Sequence, residues 1–453
     1  MHGGKVMRRK VVSLLLVATI VMGTMVGCST SQQKNAGKDV QTEGNTEAGD
    51  VDPSLVNTEL SGEITQWVWG DYEIRGAADF NKYYPNIKVN YVSIPSDEYE
   101  QKILTTVATG GELPDVINIE SAARGQISNM DILERLDAEP YNLKVDDMLP
   151  IGIPLVTNTK GEIVSVQVDN CVGGYAYDRN LAKKYFGTDD PEEMEKMFQT
   201  LDDYVEKSKI VGESGEDYMF ASVDDAYSAV SPLFADEAFV TDGKLTMDNS
   251  ILPTYEFIEK LVANKAVGPY VEWTPAWYTS FASNHVVFYQ APAWFISFMM
   301  KPNDPDSVGK WGFITPPGGG FSNGGTSYGI PKGAKEENKE LAWTYINWLT
   351  MSQEGAESFY KAHATPTLYA PAYDTDLYAG EPDPYFGGQN VTAKIMEISQ
   401  NVNTKARPVT TYDLTIKDSN AQSMRYLELG VSAAEAYARL KAEVLDMAPD
   451  LSE

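Results

Sequence analysis

From Ile64 onward, apolar and polar residues fall into two recurring periods. Ile64, Gln66 and Val68 alternate with Thr65, Trp67 and Trp69 at the two-residue period of a strand, which Gly70-Asp71 stops. Over Glu73 to Tyr84, Ile74, Ala77, Ala78 and Phe80 recur at helical spacing before Pro85-Asn86. Ile87, Val89 and Tyr91 alternate as a second strand. Ser96 is expected to cap a helix carrying Tyr99, Ile103, Leu104 and Val107, closed by Gly110-Gly111. Pro114 to Glu120 follows as a third strand. This alternation predicts an α/β fold with a parallel sheet covered on both faces. The carboxyl ends of such strands face the ligand crevice, so Trp69, Asp71, Tyr72 and Glu120 should project toward whatever binds.

Ile163 to Val168 reads as a fourth strand, ended by Asp169-Asn170. A helical stretch reaches Phe186, and Pro191 to about Ala263 is mostly helical and acidic. Trp273 to Trp311 then gathers Trp273, Trp277, Tyr278, Phe281, Phe288, Tyr289, Trp294, Phe295 and Phe298. Rings at such density are more often core than surface. Trp294 stands apart because Ala291-Pro292-Ala293 places it near a loop. Pro316 to Gly320 and Asn323 to Gly325 suit a crossing between lobes, and without a Gly-Lys-Ser/Thr ending they do not read as a phosphate loop. Lys335 to Leu349 is an amphipathic helix, and Ser432 with Glu435 forms a capping box for the last one.

Length changes this picture first: 453 residues exceed what one core usually serves, so two lobes are expected. With 36 basic and 65 acidic residues the net charge is −29, which excludes nucleic acid as a main partner and disfavours a polyanionic ligand. Residues 1–27 read as an export signal, basic from Lys5 to Lys10 and apolar from Val11 to Val26, ahead of Cys28. Residues from Ser29 to about Leu60 are too polar to order themselves and read as a tether. The only cysteines are Cys28 and Cys171, so no internal disulfide is expected if Cys28 is modified, and Cys171 should be a small buried residue. The three histidines, His2, His285 and His363, are too few and scattered for a histidine-rich metal centre. No cofactor is expected.

Met25-Val26-Gly27-Cys28 resembles a bacterial lipobox, which implies lipidation of Cys28 and a membrane-anchored extracellular body. Trp67-Val68-Trp69-Gly70-Asp71, Leu113-Pro114-Asp115-Val116, Tyr177-Asp178-Arg179, Gln290-Ala291-Pro292-Ala293-Trp294, Trp311 to Pro317 and Gly324 to Ile330 together resemble, in order, the sugar-binding solute-binding proteins of ABC importers. The resemblance covers about Ile64 to Leu445. It departs at Asn284-His285-Val286-Val287 and at Tyr72, so ligand identity does not transfer. It implies a type II periplasmic-binding-protein fold with a mostly parallel sheet in each lobe. The lobes would be 61–168 with 327–366, and 169–326 with 367–453. Hinges would lie near Val168 to Cys171, Ser322 to Thr326 and Thr365 to Thr367. The implied site sets Trp69, Trp273, Trp277 and Trp294 against sugar C–H faces and Asp71, Glu120, Asp169 and Arg407 against hydroxyls, with Tyr72, Asn170, Gly325 and Tyr328 completing it. The implied partners are a carbohydrate and a permease, and the chain would act as a monomer. Two rival readings are a non-sugar solute (peptide, polyamine or metal) and a glycoside hydrolase using Asp71 with Glu120.

Overall fold

The computed structural model describes residues 51–401 and 403–453, so the export signal and Cys28 lie outside the described residues. The strands are β1 (Gly62–Val68), β2 (Ile87–Ser93), β3 (Val116–Glu120), β4 (Val166–Gln167), β5 (Val172–Asp178), β6 (Val240–Thr241), β7 (Lys244–Leu245), β8 (Phe288–Pro292), β9 (Trp311–Ile314), β10 (Phe321–Ser322) and β11 (Thr326–Gly329). The first sheet runs β2-β1-β3-β11-β4. Its first three strands are parallel, with Gln66 opposite both Tyr91 and Val116, as the alternation predicts. β11 closes it antiparallel to β3 and β4. The second sheet is built on β5, and there the expected parallel order gives way to antiparallel pairing with β8, β9 and β10. Antiparallel neighbours need no helical crossover, and these three strands all return to β5 from later in the chain. β6 and β7 form a separate hairpin.

Three local expectations change. The helix expected over Glu73 to Tyr84 divides into Tyr72–Gly76 and Phe80–Tyr83. At the break, a Cβ on Gly76 would lie 2.6 Å from Phe359, so only glycine lets this turn rest on that ring. Ser96 is the first helical residue and not the cap, a position taken by Pro95. Of Ile163 to Val168 only Val166–Gln167 joins the ladder, because Ile163 bridges to Thr157 instead. The end of the expected tether is also tied down: the Asn57 N–H donates to the Tyr83 carbonyl at 2.8 Å. At the other end of the chain, Ser432 accepts from the Glu435 N–H at 3.3 Å, one half of the expected capping box, while the Glu435 carboxylate accepts from Arg439 at 2.6 Å.

Each sheet has its own core. Ile64, Phe80, Val116, Leu341, Tyr345 and Ile346 fill one side of the first. Tyr175, Phe198, Tyr204, Phe220, Tyr255 and Phe288 fill the second, with helices Ile251–Ala263, Asp413–Glu428 and Ala433–Met447 against them. Three stretches expected as crossings between the lobes lie side by side. The Val168 N–H donates to the Thr326 carbonyl at 3.1 Å and the Asn170 N–H to the Pro366 carbonyl at 2.7 Å.

Candidate functional site

The carboxyl end of β1 delivers Trp69, whose half-buried ring meets Tyr99 edge-on at 4.8 Å. Two residues on, Asp71 turns outward with its side chain 75% exposed, in a surface ion pair with Arg75 at 3.2 Å. Such a pair adds little stability. Tyr72 turns inward, stacking on His363 with centroids 3.9 Å apart. Its hydroxyl is buried without a partner, and burial with the neighbouring Asp169 holds it well above the usual phenol range.

Glu120, at the end of β3, folds back on its own turn, accepting from Ser121 Oγ and from the Ala122 N–H at 2.7 Å. That turn opens the helix Arg124–Asn129, whose first residue the sequence reading missed. Arg124 is almost wholly buried and donates from Nη2 to the carbonyls of Gly325 at 2.9 Å and Gly324 at 3.4 Å. Its Nε–H has no partner. A lone arginine after a strand carries no periodic signal, so only the contact across 200 residues reveals it.

At the crossings, Asp169 is 3% exposed and accepts from the Thr326 N–H at 2.9 Å, while burial pushes its carboxyl above the usual range. Gly325, at φ +104°, must be glycine: a Cβ there would lie 2.5 Å from the Gln167 amide. Asn170 sits beside Asp169, but its amide donates to Tyr373 Oη at 2.7 Å and Ser399 Oγ at 2.8 Å. With both donors used, it braces the crossing and does not face a ligand. Cys171 is buried and free, as expected.

On the second body Trp294 is half-buried, its indole N–H donating to the Asn323 carbonyl at 2.8 Å, and Gly324 approaches the same ring. The Asn323 amide continues to Gln290 and Ser228, and the Ser228 hydroxyl donates to Glu272 at 3.2 Å. Gln290, Asn323, Ser228 and Glu272 form one hydrogen-bonded chain leading from the Trp294 indole, and sequence reading picked none of them as site residues. Trp273 is 54% exposed at φ +65°, a strained conformation for a bulky side chain.

Three expected site residues belong to the frame instead. Trp277 is fully buried among Phe281, Phe295 and Tyr278, because the helix Pro275–Ser283 turns Trp277, Ser280 and Phe281 inward together. Tyr328 is fully buried in the first core, on the inward phase of β11. Arg407 donates to the carbonyls of Glu237 at 2.7 Å and Phe234 at 2.8 Å and lies 4.1 Å above the Phe239 ring, so it ties down its own segment. The structure thus gathers Tyr72, Arg124, Asp169, Gly325 and Trp294 around the crossings, with Trp69 and Glu120 lining a pocket of about 100 Å³ nearby. Among the described residues no group of three or more His, Cys, Asp or Glu could hold a metal ion.

Residues 76–383 match the family model for bacterial extracellular solute-binding proteins. The chain is a bacterial extracellular solute-binding protein. Membership implies an extracellular or periplasmic location for this solute-binding protein. Its two-lobed fold is that of a solved family 1 extracellular solute-binding protein, with TM-score 0.75 and 19% identity over 85% of this chain and 99% of the other. It is also similar to the ABC transporter associated binding protein of B. animalis subsp. lactis Bl-04, solved with β-1,6-galactobiose, at TM-score 0.68 and 19% identity over 86% and 98%. The sugar-binding protein MalE of Xanthomonas citri gives TM-score 0.68 and 18% identity over 86% and 98%. No curated protein matches the chain by sequence. The neighbours are binding proteins, and the solute-binding protein shares their fold.

Proposed function

We propose that the protein captures a saccharide between its lobes without altering it and delivers it to an ABC permease, held at the outer membrane face through lipid on Cys28. The supporting observation is a pair of half-buried indoles, Trp69 and Trp294, linked through Arg124, which acts on Glu120 of the Trp69 pocket and donates to the carbonyl of Gly324, the residue against the Trp294 ring. Flat apolar faces with charged groups between them suit a ring that is apolar on its faces and hydroxylated at its rim. Closure follows because only the closed form contacts the ligand from both sides. That similar folds were solved with β-1,6-galactobiose and lacto-N-biose supports the ligand class. The hydrolase reading finds no support in Asp71 and Glu120, since one pairs outward with Arg75 and the other closes its own turn.

A thermal-shift panel of neutral di- and oligosaccharides against the mature domain tests this. At least one sugar should raise the melting temperature, and Trp294→Ala should weaken its binding more than about tenfold, ~1.4 kcal/mol. Stabilisation by a peptide or polyamine with none by any sugar would overturn the ligand class.

A further inference from the structure

The loop between β10 and β11 carries a chemistry that capture of a solute does not use. Asn323-Gly324 is the only Asn-Gly pair in the chain, and both residues are half-buried. Glycine has no side chain, so the peptide nitrogen that follows this asparagine is open to close approach. Among the described residues no acceptor takes the Gly324 N–H. The other half of the same peptide group is engaged, because the Asn323 carbonyl accepts from the Trp294 indole N–H at 2.8 Å. The side-chain amide is held as well, its Nδ2 donating to Gln290 Oε1 at 2.5 Å and to the Ser228 carbonyl at 3.4 Å. Arg124, almost wholly buried, brings a positive charge to this loop through the carbonyls of Gly324 and Gly325.

For the pair to react, the Gly324 nitrogen must give up its proton, and the charge left behind is shared with the Asn323 carbonyl oxygen. A donor already aimed at that oxygen binds it more strongly as the charge grows, as in an oxyanion hole. The Trp294 N–H is that donor. The nitrogen then bonds to Asn323 Cγ, the Cγ–Nδ2 bond breaks, and ammonia leaves with the proton, closing a cyclic imide. Water opens the imide at either carbonyl and returns a proton to the Gly324 nitrogen. Opening at Cγ gives aspartate, and opening at the former main-chain carbonyl gives isoaspartate.

We infer that Asn323 is a self-modifying site, which converts to aspartate and isoaspartate as the protein ages, with Trp294 as the positioning residue that speeds the conversion. Aspartate puts a carboxylate where the amide donated, facing the oxygens of Gln290 and Ser228. Isoaspartate adds a carbon to the main chain and turns the carbonyl that Trp294 holds into a carboxylate. Either product loosens the support behind the Trp294 ring, whatever solute the lobes bind.

The test ages the purified protein in warm, mildly alkaline buffer, weighs its peptides at intervals, and counts isoaspartate with isoaspartyl methyltransferase. The peptide holding Asn323 should gain one mass unit ahead of every other asparagine peptide, and faster as pH rises. Trp294→Phe keeps a ring and removes the N–H, so Asn323 should convert about tenfold more slowly, the loss typical of one hydrogen bond to a charged group. Asn323→Gln should keep its mass and accept no methyl group there. Asn323→Asp supplies one product directly and should melt below wild type, as should the aged protein. An Asn323 peptide that holds its mass in the folded protein, while the same pair converts in urea, would overturn the inference by showing that the loop protects the amide. Conversion in Trp294→Phe as fast as in wild type, or faster, would overturn the part given to the indole, whatever the melting temperature of that variant.

Discussion

Gly125→Ala is expected to lower ligand affinity by roughly thirtyfold while leaving the unliganded fold intact. Gly125 follows Arg124 on the short helix after β3, and a Cβ at this position would lie 2.0 Å from the Thr410 carbonyl oxygen and 2.8 Å from the Asp413 carboxylate. Thr410 and Asp413 lead into the helix Asp413–Glu428, which packs in the core of the other lobe through Ile416, Met424 and Leu427. The clash is with backbone oxygen, which has no rotamer to swing away, so the lobes must separate by the missing distance. Within its own lobe the substitution is mild, because alanine favours the helix by about 1 kcal/mol over glycine. Forcing an overpacked contact costs about 1–3 kcal/mol, and ~2 kcal/mol set against the closed form alone gives the stated loss. Small-angle scattering should show the wild type contracting with sugar and the variant contracting less. Wild-type affinity and contraction in Gly125→Ala would mean this contact is absent when ligand is bound.

Glu73→Gln is expected to stabilise the protein above pH 7 and to change little at pH 5. Glu73 lies in the first turn after Asp71, fully buried, with its carboxyl beside the Asn118 side-chain amide, whose effect on its pKa is smaller than that of burial. Burial pushes its pKa from the usual 4.5 up to about 7, and among the described residues no lysine or arginine pairs with it. The folded protein therefore holds this proton to about pH 7, the unfolded chain only to about 4.5. Stability that is fully present below pH 4.5 is lost as pH rises through 7. The difference amounts to roughly 3 kcal/mol at pH 8, or about 3–4 °C in melting temperature for a body this size. Glutamine has the same shape and no charge, so it removes the loss. Melting curves of both proteins at pH 5 and pH 8 decide it: equal melting temperatures at pH 8 would show that Glu73 has a compensating partner in solution.

Local periodicity carried the reading of the first body. β1, β2 and β3 follow the alternation, and the helix read from Lys335 to Leu349 spans Glu336–Met351. The antiparallel second sheet was less legible, because pairing with β5 is decided by strands more than 100 residues later. Trp294 could be singled out because a proline break precedes it. Trp277 has the same chemistry, but its spacing with Ser280 and Phe281 is that of a buried helix stripe, and this decides its place. Arg124 and Glu73 escaped notice for opposite reasons. A basic residue after a strand resembles a solvated loop charge, and an acid in a helix's first turn looks like a favourable dipole partner, until burial shows otherwise. Asn170 and Arg407 were legible as polar residues near crossings, yet their hydrogen-bond partners lie far along the chain and take up their capacity.

The most direct measurement is titration calorimetry of the mature domain with the most stabilising neutral oligosaccharide, followed by mass spectrometry of the sugar recovered from the cell. The lobes should bind one sugar per chain and return it at its original mass. A sugar recovered cleaved, or no binding heat from any sugar while another solute class saturates the protein, would contradict capture of an intact saccharide between these two lobes.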